Sequence, residues 1–305
     1  MTKYIFILLI SFCSLQPPAV AHSDKINIVV NASLVSNKGI EIYQDITTYI
    51  GKQLNRNVQM ISGINYQETT LLIEQGIIQI GFICGLPYTQ LRAANKVKLI
   101  AIPVIAPKKT ASGLQASYQQ SPGKYYSYTI AHKDSAIESW EDLKGKSYAY
   151  NDKHSNSGYN MPRYKLTQLG ARSWQEYFSR IEVSGSHEKS IQMVARGLVD
   201  ASSVDSLVLD FDRHIKDPDA LNVKIIETLF PGGAGTPPVI VSSKINPELL
   251  SQLKTAFIRM HETEEGRTIL ERALLSRFAP PDDHNYDDIR AMEQAAQQVG
   301  FRDDH

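Results

Sequence analysis

The chain has 305 residues, with 32 Lys plus Arg against 32 Asp plus Glu and a formal net charge of zero. That balance, without a basic stripe or a block of like charge, argues against a nucleic-acid or membrane-surface partner. Histidines are scattered, with no zinc-type His/Cys spacing, no phosphate-binding P-loop and no dinucleotide glycine fingerprint, so neither metal nor cofactor is expected.

Met1 to Ala21 carries one charge, Lys3, then a mostly apolar run from Tyr4 to Leu15 and the small-x-small triplet Ala19-Val20-Ala21. This is the pattern of a cleaved secretory signal at 1–21, and its apolar part is short of the about 20 residues that span a bilayer. No later stretch is as apolar, so an exported, soluble chain is expected. Cleavage would remove Cys13 and leave Cys84 alone, which forbids an intrachain disulfide and suits a buried core thiol.

Ile26 to Val30 reads as a strand, and Ile40 to Leu54 as an amphipathic helix with Ile40, Tyr43, Ile46, Ile50 and Leu54 on one face. Val58 to Ile61 is a second strand. Asn65-Tyr66 opens a helix that Gly76 stops. Ile78 to Cys84 is apolar nearly throughout, as a strand covered on both faces would be, and Gly85 to Tyr88 is expected to turn the chain. Ile100 to Pro107 leads out of this unit, and the polar stretch Lys108 to Gly123 is expected to be an excursion into a second lobe.

Tyr125 to His132 is the next strand, and Ser139 caps a short helix, Trp140 to Leu143. Ser147 to Tyr150 is a strand, followed by Ser155-Asn156-Ser157-Gly158 at the entrance of a helix that Gly170 closes. Orphan backbone N–H groups and the helix dipole gather partial positive charge there, and hydroxyl and amide donors would extend that cluster toward an oxyanion. Ser and Asn are also the preferred capping residues, so the segment alone reads first as an ordinary N-cap, and it is the rest of the chain that favours the oxyanion. Arg180 to Val183 is a strand, Ser184 to His187 leads into a helix ended by Gly197, and Val199 to Val204 is a strand with Asp205 at its end.

Leu72 to Gly85 aligns without gaps to Met193 to Ser206, an internal echo of helix end, Gly stop, strand and turn. It suits two similar lobes, although any helix–Gly–strand unit has this look. Val223 to Phe230 and Pro238 to Ser242 are expected to be strands flanking a loop, and two helices follow, Asn246 to about His261 and Thr263 to Leu275. Asp282-Asp283-His284 and Asp287-Asp288 lack calcium-loop spacing and read as a solvated face, before a last helix from Ile289 to about Val299. The fold class expected is α/β with two lobes, each a mainly parallel sheet flanked by helices. Residues 22–108 with 232–305 are assigned to the first lobe and 109–231 to the second.

The site-like residues Tyr88, Ser155 to Ser157, Ser184 to His187 and Asp205 all fall at the C-terminal ends of expected strands, the edge where open α/β sheets bind ligands. They form a binding inventory. No nucleophile with an adjacent base stands out, so no catalytic residue is named.

With these residues assembled, the chain resembles the phosphate/phosphite/phosphonate-binding family of periplasmic solute-binding proteins, the receptor subunits of ABC importers. The stretches that carry the likeness are Ser184 to Asp205, Glu141 to Tyr150 with the following Ser-x-Ser-Gly, and Leu72 to Tyr88. The resemblance implies two lobes joined by two crossover segments, with a small oxyanion clamped in the cleft between them. It implies that Ser155, Asn156, Ser157 and Gly158 hold the oxyanion with His187, that Tyr66 and Tyr88 wall the pocket, and that Asp205 lies near the ligand's organic end. Asn156 stands where the family usually has Thr, and Gly-Gly-Ala-Gly-Thr follows Pro231 where aminophosphonate binders often carry an acid. The implied setting is the periplasm, the implied partner an ABC permease, and the expected state a monomer. Two alternatives keep the scaffold: a sensor subunit for a separate membrane kinase, and a periplasmic enzyme using His187 or Cys84. If His187 donates as an imidazolium, binding should weaken above about pH 7.

Overall fold

The computed structural model describes residues 25–31, 36–106 and 123–303. The proposed signal at 1–21 and most of the excursion at 108–123 lie outside the described residues. In chain order the strands are β1 Lys25–Val30, β2 Asn57–Ile61, β3 Ile80–Phe82, β4 Val97–Ile105, β5 Lys124–His132, β6 Ser147–Tyr150, β7 Arg180–Val183, β8 Ala201–Asp205, β9 Val223–Gly235, β10 Val239–Ser242 and β11 Leu275–Ala279. The α-helices are α1 Ile40–Leu54, α2 Tyr66–Gln75, α3 Gly85–Ala93, α4 Met161–Gln168, α5 His187–Ala195, α6 Ser206–His214, α7 Pro218–Leu221, α8 Pro247–Ile258, α9 Glu264–Arg272 and α10 Asp287–Gln298.

Two sheets organise these elements, one of six strands in the order β11-β4-β10-β3-β1-β2 and one of five in the order β7-β6-β8-β5-β9. Both are mixed, which corrects the expectation of mainly parallel sheets. Parallel pairing is confined to β2-β1-β3 and β7-β6-β8, where helices supply the crossovers. β5 and β10 run antiparallel to their neighbours, because each follows a crossing between sheets and not a βαβ return, and β9 pairs antiparallel with β5 at the edge of its sheet. The internal echo holds at the backbone. Gly76 and Gly197 both adopt positive φ, and both helices end with matching bonds, Ile77 N to Leu72 O at 3.0 Å and Leu198 N to Met193 O at 2.9 Å. Only a residue without a Cβ takes that left-handed cap at no steric cost.

Several local expectations change. Gly85 to Tyr88 is not a free turn but the first turn of α3, where Pro87 sits without loss because that N–H has no intrahelical partner. The segment from Pro231 to Gly235 is not a loop: β9 continues through it, bulged against β5, with Phe230 and Gly233 at positive φ. The helix assigned to 263–275 stops at Arg272, and Leu275–Ala279 pairs with β4 instead.

The last helix starts at Asp287, so its acids sit in the first turn, where the helix dipole favours them. Nor is Asp283 merely solvated: it accepts a bond from the Tyr88 hydroxyl and pairs with Arg290 at 2.9 Å. Beyond α10 the chain lies against the second lobe, with Phe301 edge-on to Trp174 at 5.9 Å, Tyr159 donating to Asp303, and Arg302 3.2 Å from Glu176. The C-terminal segment is therefore a third tie between lobes, beyond the two crossovers implied by resemblance. Trp174 anchors it within a buried aromatic stack that includes Tyr148, Tyr150 and Phe178.

Candidate functional site

The C-terminal ends of β6, β7 and β8 meet at one edge of the five-stranded sheet, and each delivers polar side chains to it. β6 ends at Tyr150, so Asn151 follows directly. β7 leads through Ser184 to His187 at the start of α5, with Ser186 capping that helix through Lys189 N at 3.1 Å. β8 ends at Asp205, whose Oδ1 caps α6 by accepting from Leu207 N at 2.7 Å.

Between Asn151 and α4 the chain makes a wide π-type turn, Asn156–Asn160, closed by Asn160 N to Ser155 O at 3.0 Å. Such turns are rare, and they concentrate at functional sites. The turn brings Ser155, Asn156 and Ser157 together, all fully buried, with the Ser155 hydroxyl accepting from Gly158 N at 3.1 Å. So the capping reading of Ser155 holds. It coexists with a second arrangement, because the Ser155 and Ser157 hydroxyls both lie 3.4 Å from His187 Nε2. Gly158 is fixed by close approach: a Cβ there would fall 1.9 Å from Asn151 Oδ1 and 3.0 Å from His187 Cε1.

His187 is the pivot. It is 1% exposed, and its Nδ1 accepts from the backbone N–H of Asp205 at 3.2 Å. A backbone amide is always a donor, so Nδ1 is the unprotonated nitrogen and Nε2 carries the hydrogen. Burial pushes the imidazole down to about 3, so the ring is neutral at physiological pH. The expectation of a charged histidine donor is therefore corrected; the ring is a neutral N–H donor aimed at the two serines. Asn151 Nδ2 lies 3.3 Å from Nε2, while Asn151 Oδ1 has no partner. Turning that amide about would set its oxygen against Nε2–H and remove the conflict.

Across the cleft the first lobe supplies Cys84 and Tyr66. Asn156 N donates to Cys84 Sγ at 3.2 Å, and the thiol is pushed up to about 11, chiefly by burial. A thiol is a weak acceptor, so this helix-terminal N–H is under-used. Tyr66, also buried, lies near enough to Cys84 to influence its thiol and stacks on His154 of the second lobe with ring centroids 6.4 Å apart. The Asn156 side chain is committed elsewhere, donating to the Tyr125 hydroxyl at 3.0 Å and accepting from Asn160 Nδ2 at 3.1 Å.

Asp205 is fully buried and its Oδ2 has no hydrogen-bond partner. Burial holds this carboxyl well above the ordinary range, while its N-cap bond to Leu207 opposes the shift. Tyr43, from α1, lies close enough that the Asp205 charge adds to burial in raising its hydroxyl.

Of the residues singled out in the sequence, Ser155, Ser157, Gly158, His187 and Asp205 come together, with Asn156 contributing its backbone N–H and Tyr66 facing them through Cys84. Tyr88 does not join them by hydrogen bond. Its hydroxyl is spent on Asp283 and its ring packs edge-on against Tyr286 at 4.7 Å. Asn151, Cys84, Tyr125 and Tyr43 were not singled out as ligand residues. Asn151 carried a usable signal, a short polar residue directly after an apolar strand; the other three sit in elements whose patterns read as core.

The arrangement offers uncharged donors around one small volume and one unpaired carboxyl oxygen beside it. It suits an oxyanion in a dry site, where neutral hydrogen bonds replace hydration. The model for the family described as "ABC transporter, phosphonate, periplasmic substrate-binding protein" matches residues 28–286. Among solved structures, a binding protein component of an ABC phosphonate transporter from Pseudomonas aeruginosa is similar at 21% identity, with 90% of this chain and 87% of that chain covered and a TM-score of 0.78. A Prochlorococcus marinus protein in complex with methylphosphonate is similar at 17% identity, covering 90% and 99%, with a TM-score of 0.76. A Xanthomonas citri protein bound to chloride is similar at 14% identity, covering 91% and 99%, with a TM-score of 0.68.

Proposed function

This chain belongs to the family of periplasmic substrate-binding proteins of phosphonate ABC transporters, and from that premise we propose which chemical group it holds and where. The ligand is a small phosphorus oxyanion of the phosphonate, phosphite or phosphate class. Its oxygens accept from the Ser155 and Ser157 hydroxyls, from His187 Nε2–H and from the Asn156 N–H that now rests on the weak acceptor Cys84 Sγ. The observation that carries this reading is the neutral His187 tautomer, with its one N–H turned toward two buried serine hydroxyls at a helix N-terminus.

Asp205 meets whatever the phosphorus bears on its other side, as a hydroxyl or amine donor would satisfy its unpaired Oδ2. Delivery to a separate ABC permease, export through residues 1–21 and a monomeric state belong to the same proposal. So does the division into a first lobe of 22–108 with 232–305 and a second of 109–231, with the C-terminal segment lying against both. Two observations oppose a hydrolytic alternative. His187 Nε2 bears its proton and so is no base for Ser155, and the Cys84 thiol is held protonated by burial.

A thermal-shift screen of the chain lacking residues 1–21 tests the reading, with phosphate, phosphite, hypophosphite, methylphosphonate, aminoethylphosphonate, sulfate and taurine. A ligand that binds only the folded state raises its midpoint. The proposal expects a shift with at least one phosphorus oxyanion, reduced in Ser157→Ala. No shift with any of them, in protein shown to be folded, would overturn it.

A further inference from the structure

Ser155, Ser157 and His187 are at most 1% exposed, so a solute reaches them only if the lobes part. What holds the lobes together away from those donors therefore bears on binding. One such contact lies at the tight turn Asn37–Gly39, which precedes α1. Lys38 Nζ crosses to the second lobe, donates to Asp217 Oδ2 and lies 3.9 Å from Glu188 Oε1. The two acids are only 11% and 13% exposed in their side chains, whereas Lys38 is 37% exposed. The pair is thus partly desolvated, and stronger than one between open surface groups.

The turn is built to present that lysine. The Ser36 hydroxyl accepts from Lys38 N at 3.2 Å and also bonds Asp212 of α6, itself buried. The next residue explains its own identity. A Cβ on Gly39 would stand 3.1 Å from Phe211 Cζ, tighter than most real contacts, and φ at Gly39 is −98°, so close approach and not conformation calls for glycine. Phe211 belongs to α6 of the second lobe, yet it packs against the core of the first. Beside it is an apolar cavity of ≈ 50 Å³ lined by Gly39, Ile42 and Tyr43 on one side and Leu207 and Phe211 on the other.

We propose that Lys38 on Asp217 and Glu188, with Phe211 seated over Gly39, forms an interlobe clasp that holds the closed state without touching the ligand. It sets apparent affinity through the closed population, because binding is weakened by whatever fraction of the protein is open. Its role goes beyond the ligand reading and stands or falls without it.

The test therefore uses ligand-free protein. Spin labels on Gln252→Cys and Leu198→Cys, both exposed and on opposite lobes, report the interlobe distance by electron–electron double resonance; Cys84 is buried and stays unlabelled. The clasp predicts a closed-distance population in the parent protein. Lys38→Met reduces the closed-to-open ratio about fivefold, an estimate at the upper end for partly exposed ion pairs. Gly39→Ala reduces it as well, Lys38→Arg retains it, and the unfolding midpoint stays within a few degrees in each. A parent population that is wholly open, or a closed population unchanged in both Lys38→Met and Gly39→Ala, would overturn the clasp. Failure of the oxyanion screen would instead overturn the ligand reading and leave this distance measurement to decide the clasp.

Discussion

His187 gives the sharpest quantitative test. In the unfolded chain the imidazole titrates near 6.5, while burial holds it at about 3 in the fold. Below pH 6.5 the unfolded chain therefore binds a proton that the folded protein refuses, and stability falls as pH drops from 6.5 toward 3. Between pH 8 and pH 5 the protonation difference integrates to about 1.5 pK units, or about 2 kcal/mol from this one side chain. His187→Gln keeps an N–H donor but removes the titration. Urea unfolding of ligand-free wild type and variant at pH 8 and pH 5 reads the effect directly. The variant should lose about 2 kcal/mol less than wild type over that interval, the other ionisable groups cancelling in the comparison. Equal losses in the two proteins would refute a neutral His187. Neutrality also implies that His187 itself adds no pH dependence to the affinity for an anion of fixed charge between pH 5.5 and 8.5, the reverse of what an imidazolium donor would give.

Other expectations follow from the same geometry. Gly158→Ala drives a methyl into Asn151 and His187, and should cost on the order of 1–3 kcal/mol of stability and most of the binding, read by denaturation and calorimetry. Ser157→Ala should weaken binding by on the order of 1–3 kcal/mol. Ser155→Ala should do the same and also lower stability by about 1 kcal/mol, because its hydroxyl caps Gly158 N. Asp205 has a raised folded pKa, so its contribution is present below about pH 3.8 and is lost as pH rises through the folded value. Asp205→Asn, which can still cap α6, should therefore raise the unfolding midpoint at pH 7 and change it little at pH 4. Tyr88→Phe should leave affinity unchanged but speed amide exchange in α10, since it frees Asp283 from one of its two partners.

The alternation of strands and helices was readable from apolar periodicity, and so were the polar residues at strand ends, although Ser and Asn there serve helix capping as readily as a ligand, and Ser155 caps Gly158 N. Ser155 to Gly158, His187 and Asp205 came from that logic together with a family likeness. What escaped depends on partners far away in the chain. Tyr88 meets Asp283 across 195 positions, and Asn156 meets Cys84 across 72, so neither contact leaves a local mark. Leu275–Ala279 follows a helix without a strong break and becomes a strand only because β4 offers an edge. Pro231 to Gly235 has loop composition, yet β5 pairs with its end at Gly235 and Ala234. The histidine's charge state leaves no mark in the sequence for the same reason, since it is set by burial and by one backbone N–H eighteen positions along.

A crystal structure with a bound phosphorus oxyanion tests the central claim most directly. The account places the anion within hydrogen-bond distance of Ser155 Oγ, Ser157 Oγ and His187 Nε2, with Asn156 N–H turned from Cys84 to the anion. An anion held in the cleft without His187 and either serine would contradict it.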